Sequence, residues 1–258
     1  MKLYLRFFGI HVRGAMEHKL SFAFLTIGQF LLSFNVFLGI LFLFQRFHQV
    51  KGYGFSEVLL CFAMVMVSFS LAEMYMRGFD LFSQIIGNGE FDRMLLRPRS
   101  ILLLVISSKV ELSRVGKIVQ SVIILAYAIA TSDILWSIDK VITVILMIFG
   151  GTVIFSCLFI IFASICFFTL DGLEFMNVLT DGAKEYCKYP LDVYGKEVLR
   201  FCTFLIPYSL FQYYPFQYLT ERSDNSLYIL FPVLGCLFII PSYLLWLNGV
   251  RHYKSTGS

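Results

Sequence analysis

The chain reads as an all-α integral membrane protein of about six transmembrane helices, on three observations. Its 258 residues are 58% hydrophobic and only 15% charged, whereas a soluble domain is about 45–50% apolar and about 25% charged. It carries 29 Phe and 14 Tyr against 21 Lys and Arg and 17 Asp and Glu. So few charges cannot coat a water-soluble surface over that much aromatic bulk. Finally, mean hydropathy is +0.77, and the apolar residues fall in runs long enough to cross about 30 Å of hydrocarbon.

Taken in order, residues 1–19 mix bases with aromatics and place Leu3, Phe7 and Ile10 on one face, which predicts an amphipathic interface helix. Leu20 to Gln45 holds no charge and predicts the first span, 20–45. The basic start precedes a run too long for a cleaved signal, so this helix is expected to stay in the mature chain. The second span, 55–76, is bracketed by Glu57 and Glu73, with 15 uncharged residues between them. That is short, so the helix must run past its carboxylates. Lys109, Glu111, Arg114 and Lys117 blur the start of a third span at 114–132. A fourth, 141–170, is uncharged for 30 residues and so tilts or protrudes. A polar loop at 171–200 leads to a fifth, 201–220, holding Pro207 and Pro215, and a sixth, 227–250, holding Pro232 and Pro241. No linker or repeat divides the chain, so it is one membrane domain, 1–258.

Six crossings put both termini on one side. That side collects Lys2, Arg6, Arg13, Lys19, Arg77, Arg93, Arg97, Arg99, Arg251 and Lys254. The positive-inside rule makes it cytoplasmic, together with the loops after the second and fourth spans, although the latter loop carries no cationic excess. The formal charge of +4 suits contact with membrane lipids, not nucleic acid, since the cations form no dense tract.

Catalytic and metal chemistry find no support. There is no GxxxxGK[ST] loop, GxSxG or HExxH, and the four histidines sit near the predicted interfaces. The six cysteines match no zinc or redox spacing and read as free apolar thiols. Glu73, Lys109, Glu111, Asp133 and Asp139 fall near span ends, where anchoring explains them better than ion coupling, so a stand-alone secondary carrier is disfavoured.

Segment 87–100, GNGEFDRMLLRPRS, carries more information. Gly87 and Gly89 interrupt the helix, Glu90 and Asp92 suit a first turn, and Pro98 ends it. Phe91, Leu95 and Leu96 give the short helix an apolar face, fit for a groove on a partner protein or for lying flat on lipid. In the fifth span each proline frees a carbonyl, and Tyr208, Ser209, Gln212, Tyr213 and Tyr214 stand by to satisfy it. Pro207, Tyr208, Gln212, Tyr213, Tyr214 and Pro215 thus mark either a bent helix lining a translocation path or gate, or a packing kink.

The run GxxDxxLLRP, with Gly89, Asp92, Leu95, Leu96, Arg97 and Pro98, resembles the loop after helix two in ABC-2 class permease subunits of ABC transporters. The likeness is nearest to a bacterial six-helix subfamily of about 260 residues, and Tyr189, Pro190, Tyr194, Pro207, Pro215 and the ending GVRHYKSTGS agree with it. The resemblance implies one transmembrane half of an ATP-driven exporter in the cell inner or plasma membrane. It implies a second permease, as homodimer or heterodimer, and separate ATPase subunits that bind the ATP and Mg, with no cofactor on this chain. It makes Asn88, Gly89, Glu90, Phe91, Asp92, Arg93, Leu95, Leu96, Arg97 and Pro98 the coupling segment, which passes ATPase movement to the second and third spans. The reading from another class is a membrane scaffold or sensor subunit that transports nothing. Cargo is not legible.

Overall fold

Long uncharged runs become long helices here because a backbone in hydrocarbon can only bond to itself. The computed structural model describes residues 2–169 and 174–254. Leu170, Asp171 and the last four residues of the tail lie outside them, as does the side chain of Leu3. Helix α1 (Lys2–Glu17) breaks at His18 before α2 (Lys19–Arg46), and α3 (Phe55–Tyr75) follows a short loop. Four short helices come next: α4 (Arg77–Asp80), α5 (Phe82–Gly87), α6 (Glu90–Leu95) and α7 (Ile101–Ser108). A 3₁₀ turn at Leu112–Arg114 opens α8 (Val115–Thr131), and α9 runs Ile138–Ile165. Then come α10 (Glu174–Leu179), α11 (Asp181–Tyr186), a 3₁₀ turn at Leu191–Tyr194, α12 (Lys196–Phe204), α13 (Tyr208–Phe211) and α14 (Tyr213–Leu219). The last run, Ser226–His252, joins 3₁₀ turns to α15 (Phe231–Gly235) and α16 (Ile239–His252). Among the described residues, five helical runs are long and apolar enough to cross a membrane. The fold is all-α, and among the described residues the β pairing is an isolated bridge between Val50 and Tyr53.

Helix α3 is the axis. Nearly every side chain from Val58 to Met74 is buried, packed along α8 and α9, while α2 turns Leu20, Phe24, Leu31, Leu32 and Phe42 outward. That inversion suits a bundle whose solvent is lipid. Close approach needs small residues. A Cβ on Gly116 of α8 would stand 2.1 Å from the Thr26 carbonyl of α2.

The two ends can be told apart by contacts. At one, His11 of α1 bonds the Ser107 carbonyl at 3.0 Å, and Tyr253 stacks on Phe91 and Phe167 with centroids 4.9 and 5.7 Å away. Both chain ends therefore meet the 77–108 segment there. On α1, Tyr4, Phe7, Phe8, His11 and Ala15 are half-buried, while Ile10 is 60% exposed. The bond from His11 ties α1 to the end of α7. At the far end, Arg222 lies 3.9 Å over the Tyr53 ring and pairs with Glu57 at 3.1 Å.

The fifth crossing departs most from expectation. The continuous helix expected at 201–220 is instead three short helices, and the stretch expected as a loop does much of the climbing. Lys184 lies 4.9 Å over Phe69, and Asp192 accepts a bond from Tyr53 at 3.1 Å. Those α3-end markers lie about 20 Å apart at 1.5 Å per residue. Ala183, Cys187 and Leu191, spaced by four and fully buried, supply the inward stripe that carries this limb up the bundle. From Gly195 the chain dips back along α12, turns at Leu205–Pro207 and returns through α13 and α14. Pro207 has no N–H to continue α12, so the helix stops before it.

Candidate functional site

A cavity of about 410 Å³ opens between α2, α3, α8 and the climbing limb, near the end that holds the termini. Charge concentrates here. Glu73, on the last turn of α3, receives Arg114 Nη2 at 2.9 Å and Lys117 Nζ at 3.0 Å, and all three are largely buried. Arg114 Nη1 also donates to Gln29 Oε1 of α2 at 2.6 Å. Arg77 pairs with Asp80 and lies 3.4 Å from Glu111. Burial raises the Asp80 carboxyl above its ordinary range, and Arg77 opposes that shift. Asp181 and Lys184, and Glu185 and Lys188, pair along the climbing limb. Desolvating such ions is costly, so each persists only with a partner in place.

Sequence reading set Glu73 down as an interfacial anchor and missed its partners. The signal was available. Consecutive antiparallel spans bring their charges together when one ends acidic and the next starts basic, as Glu73 does before Arg114 and Lys117. Cys61, Cys157, Cys166, Cys187 and Cys202 are buried, and all six thiols are free.

Beyond α3 the segment expected to couple to an ATPase, 88–98, takes a shape of its own. Gly89, at φ +66, is in the left-handed region that favours glycine and serves as the N-cap of α6. The helix covers only Glu90–Leu95, about a turn and a half, so the expected helix from Asn88 to Pro98 is shortened. Phe91 is fully buried, with ring centroids 5.3 Å from Phe82 and 5.2 Å from Phe167. This corrects its assignment to an exposed face. Leu95 and Leu96 are exposed, the latter by 86%, and Asn88, Arg93, Arg97 and Pro98 stand outside with them. Glu90 and Asp92 are half-buried. The segment is therefore a root and a tip. Phe91 grips the ends of α9 and α16 through Phe167 and Tyr253, not only the second and third spans.

The hairpin residues lie inside the bundle. Pro207, Tyr208, Gln212 and Pro215 are buried, with Tyr213 and Tyr214 half-buried. Gln212 Nε2 donates to the carbonyls of Tyr189 at 2.9 Å and Cys187 at 3.3 Å and contacts Cys61 Sγ at 2.9 Å. Tyr208 donates to the Leu179 carbonyl, and Ser209 to Cys202 at 2.9 Å. These side chains occupy the carbonyls that broken helices leave open. Tyr214 instead packs on Tyr228 and Phe231, with centroids 5.4 and 5.2 Å away.

Residues 30–257 match the family model described as ABC-2 family transporter protein. The chain belongs to that family. No curated protein and no solved structure matches it. As an ABC-2 transporter chain it is the membrane permease component of an ABC system, a multi-pass part that associates with ABC ATPases and is not itself the catalyst. In this ABC-2 permease the matched stretch takes in segment 88–98 and the lining of the charged cavity other than Gln29, while α1 precedes it.

Proposed function

We propose that this permease is one of two transmembrane halves of an ATP-driven exporter. Each half sits on a separate ATPase subunit that binds the ATP and Mg, and substrate leaves the cytoplasm between alternating conformations. The second half is an identical or a related permease. The complex lies in the cell inner or plasma membrane, with both termini and the 77–108 segment cytoplasmic, the side that the cationic residues favour.

The observation that carries the reading is the division of labour within 88–98. Leu95 and Leu96, flanked by Arg93 and Arg97, present an apolar and cationic tip, while Phe91 is locked into the aromatic cluster behind it. A tip of that kind suits insertion into a partner's groove. A buried ring behind it gives a rigid route by which ATPase closure reaches α9 and α16.

The test replaces Leu96 with Asp. Its side chain touches little, so the permease should fold and elute as before, yet lose co-purification of the ATPase and ATP-dependent movement in inside-out vesicles. Retained assembly and transport would remove the coupling role. Phe91→Asp is the wrong probe, because it disrupts the core whichever reading holds.

A further inference from the structure

We infer that the charged cavity between α2, α3, α8 and the climbing limb is a binding site for a phosphate group. Three cations converge on it at one level of α3. Arg114 and Lys117 share the single carboxylate of Glu73. Lys184 reaches in from the climbing limb to the same Phe69 ring that Lys117 approaches, at 4.9 and 5.9 Å. The other lining acids, Asp80, Asp181 and Glu185, are each engaged by a cation beside them. Lys184 shares the cavity, whereas the side chain of Asp181 is 51% exposed, and such an exposed pair is weak.

Two donors in the wall point to a missing acceptor. The Ser33 hydroxyl, on a residue only 2% exposed, and Arg114 Nε have no hydrogen-bond partner among the described residues. Buried polar atoms left open inside a helix bundle are costly. A tetrahedral oxyanion offers several acceptors at once, and suits a lining where cations stand beside an unpartnered hydroxyl and guanidinium N–H. Apolar side chains complete the lining, among them Leu32, Val36 and Met66, and Leu32 is 65% exposed on the lipid-facing side of α2. A pocket between membrane helices that offers cationic donors and an apolar, lipid-facing edge suits a phospholipid headgroup. Free phosphate shares the chemistry at the cationic residues.

The experiment uses the purified full-length permease. Thermal unfolding and native mass spectrometry follow addition of short-chain phosphatidic acid, the matching diacylglycerol, or inorganic phosphate. Phosphatidic acid should raise the unfolding temperature and be retained, and diacylglycerol should do neither. Lys184→Gln and Ser33→Ala should weaken binding, the former by about tenfold for one charge-assisted hydrogen bond. Arg200→Gln, on α12 and paired with the exposed Glu197, should bind as the parent does. Binding of inorganic phosphate as well would assign a free anion as ligand, and its failure would assign the lipid headgroup; either supports the site. Equal binding of diacylglycerol, parent-like binding by both cavity variants, or equal loss in Arg200→Gln would overturn it. None of these readouts depends on the ATPase or on transport.

Discussion

Helix α3 and the segment from Asp181 to Thr220 cross the same bundle in opposite styles. In α3 the backbone bonds itself for 21 residues, and its side chains are free to pack. The other crossing is built of short helices and turns, so its carbonyls need outside donors, and Gln212, Tyr208 and Ser209 supply them. A regular span is therefore held by packing and charge pairing along its length. A broken one hangs on a few identifiable hydrogen bonds, and its failures should be local.

The sharpest way to break the contrast is Glu73→Leu. It strands Arg114 and Lys117 in the bundle, and unfolding experiments should show a loss of about 3–5 kcal/mol. The double change Glu73→Leu with Lys117→Leu should recover part of that loss. Gly116→Val comes next. Its new atoms meet the backbone of α2 at Thr26, so α2 must move away, with an expected cost of about 3 kcal/mol. Gln212→Ala should cost about 1–3 kcal/mol by leaving the Cys187 and Tyr189 carbonyls unpaired. Its signature is faster thiol labelling of Cys187 and Cys202, with Cys157 on α9 unchanged; uniform labelling would erase the distinction between the two styles. Leu96→Asp, at the exposed tip, should leave stability within about 0.5 kcal/mol while ATPase binding is lost.

The uninterrupted spans were legible because lack of charge over twenty or more residues is a one-dimensional property. The climbing limb was not. Its stripe of Ala183, Cys187 and Leu191 is narrow and small, and Lys184, Glu185 and Lys188 between them look like a solvated loop. Hydropathy instead favoured 201–220, where Phe204 and Leu205 of the dipping hairpin point outward. In the segment 88–98, a short helix with apolar residues was legible but its faces were not. Six helical residues give too little periodicity to tell the rooted Phe91 from the exposed Leu96. The pairing of Glu73 with Lys117 spans 44 positions and depends on how α3 and α8 align. Only their matching end charges hinted at it.

The aromatic cluster behind Phe91 has an optical consequence. Of the chain's two tryptophans, Trp246 stands 5.1 to 5.3 Å from the rings of Phe79, Phe82 and Phe167, whereas Trp136 precedes α9 at the opposite pole. The indole beside the loop is a native fluorophore for its displacement, and the distant one serves as an internal reference. Nucleotide cycling could thus be watched as emission from unlabelled protein.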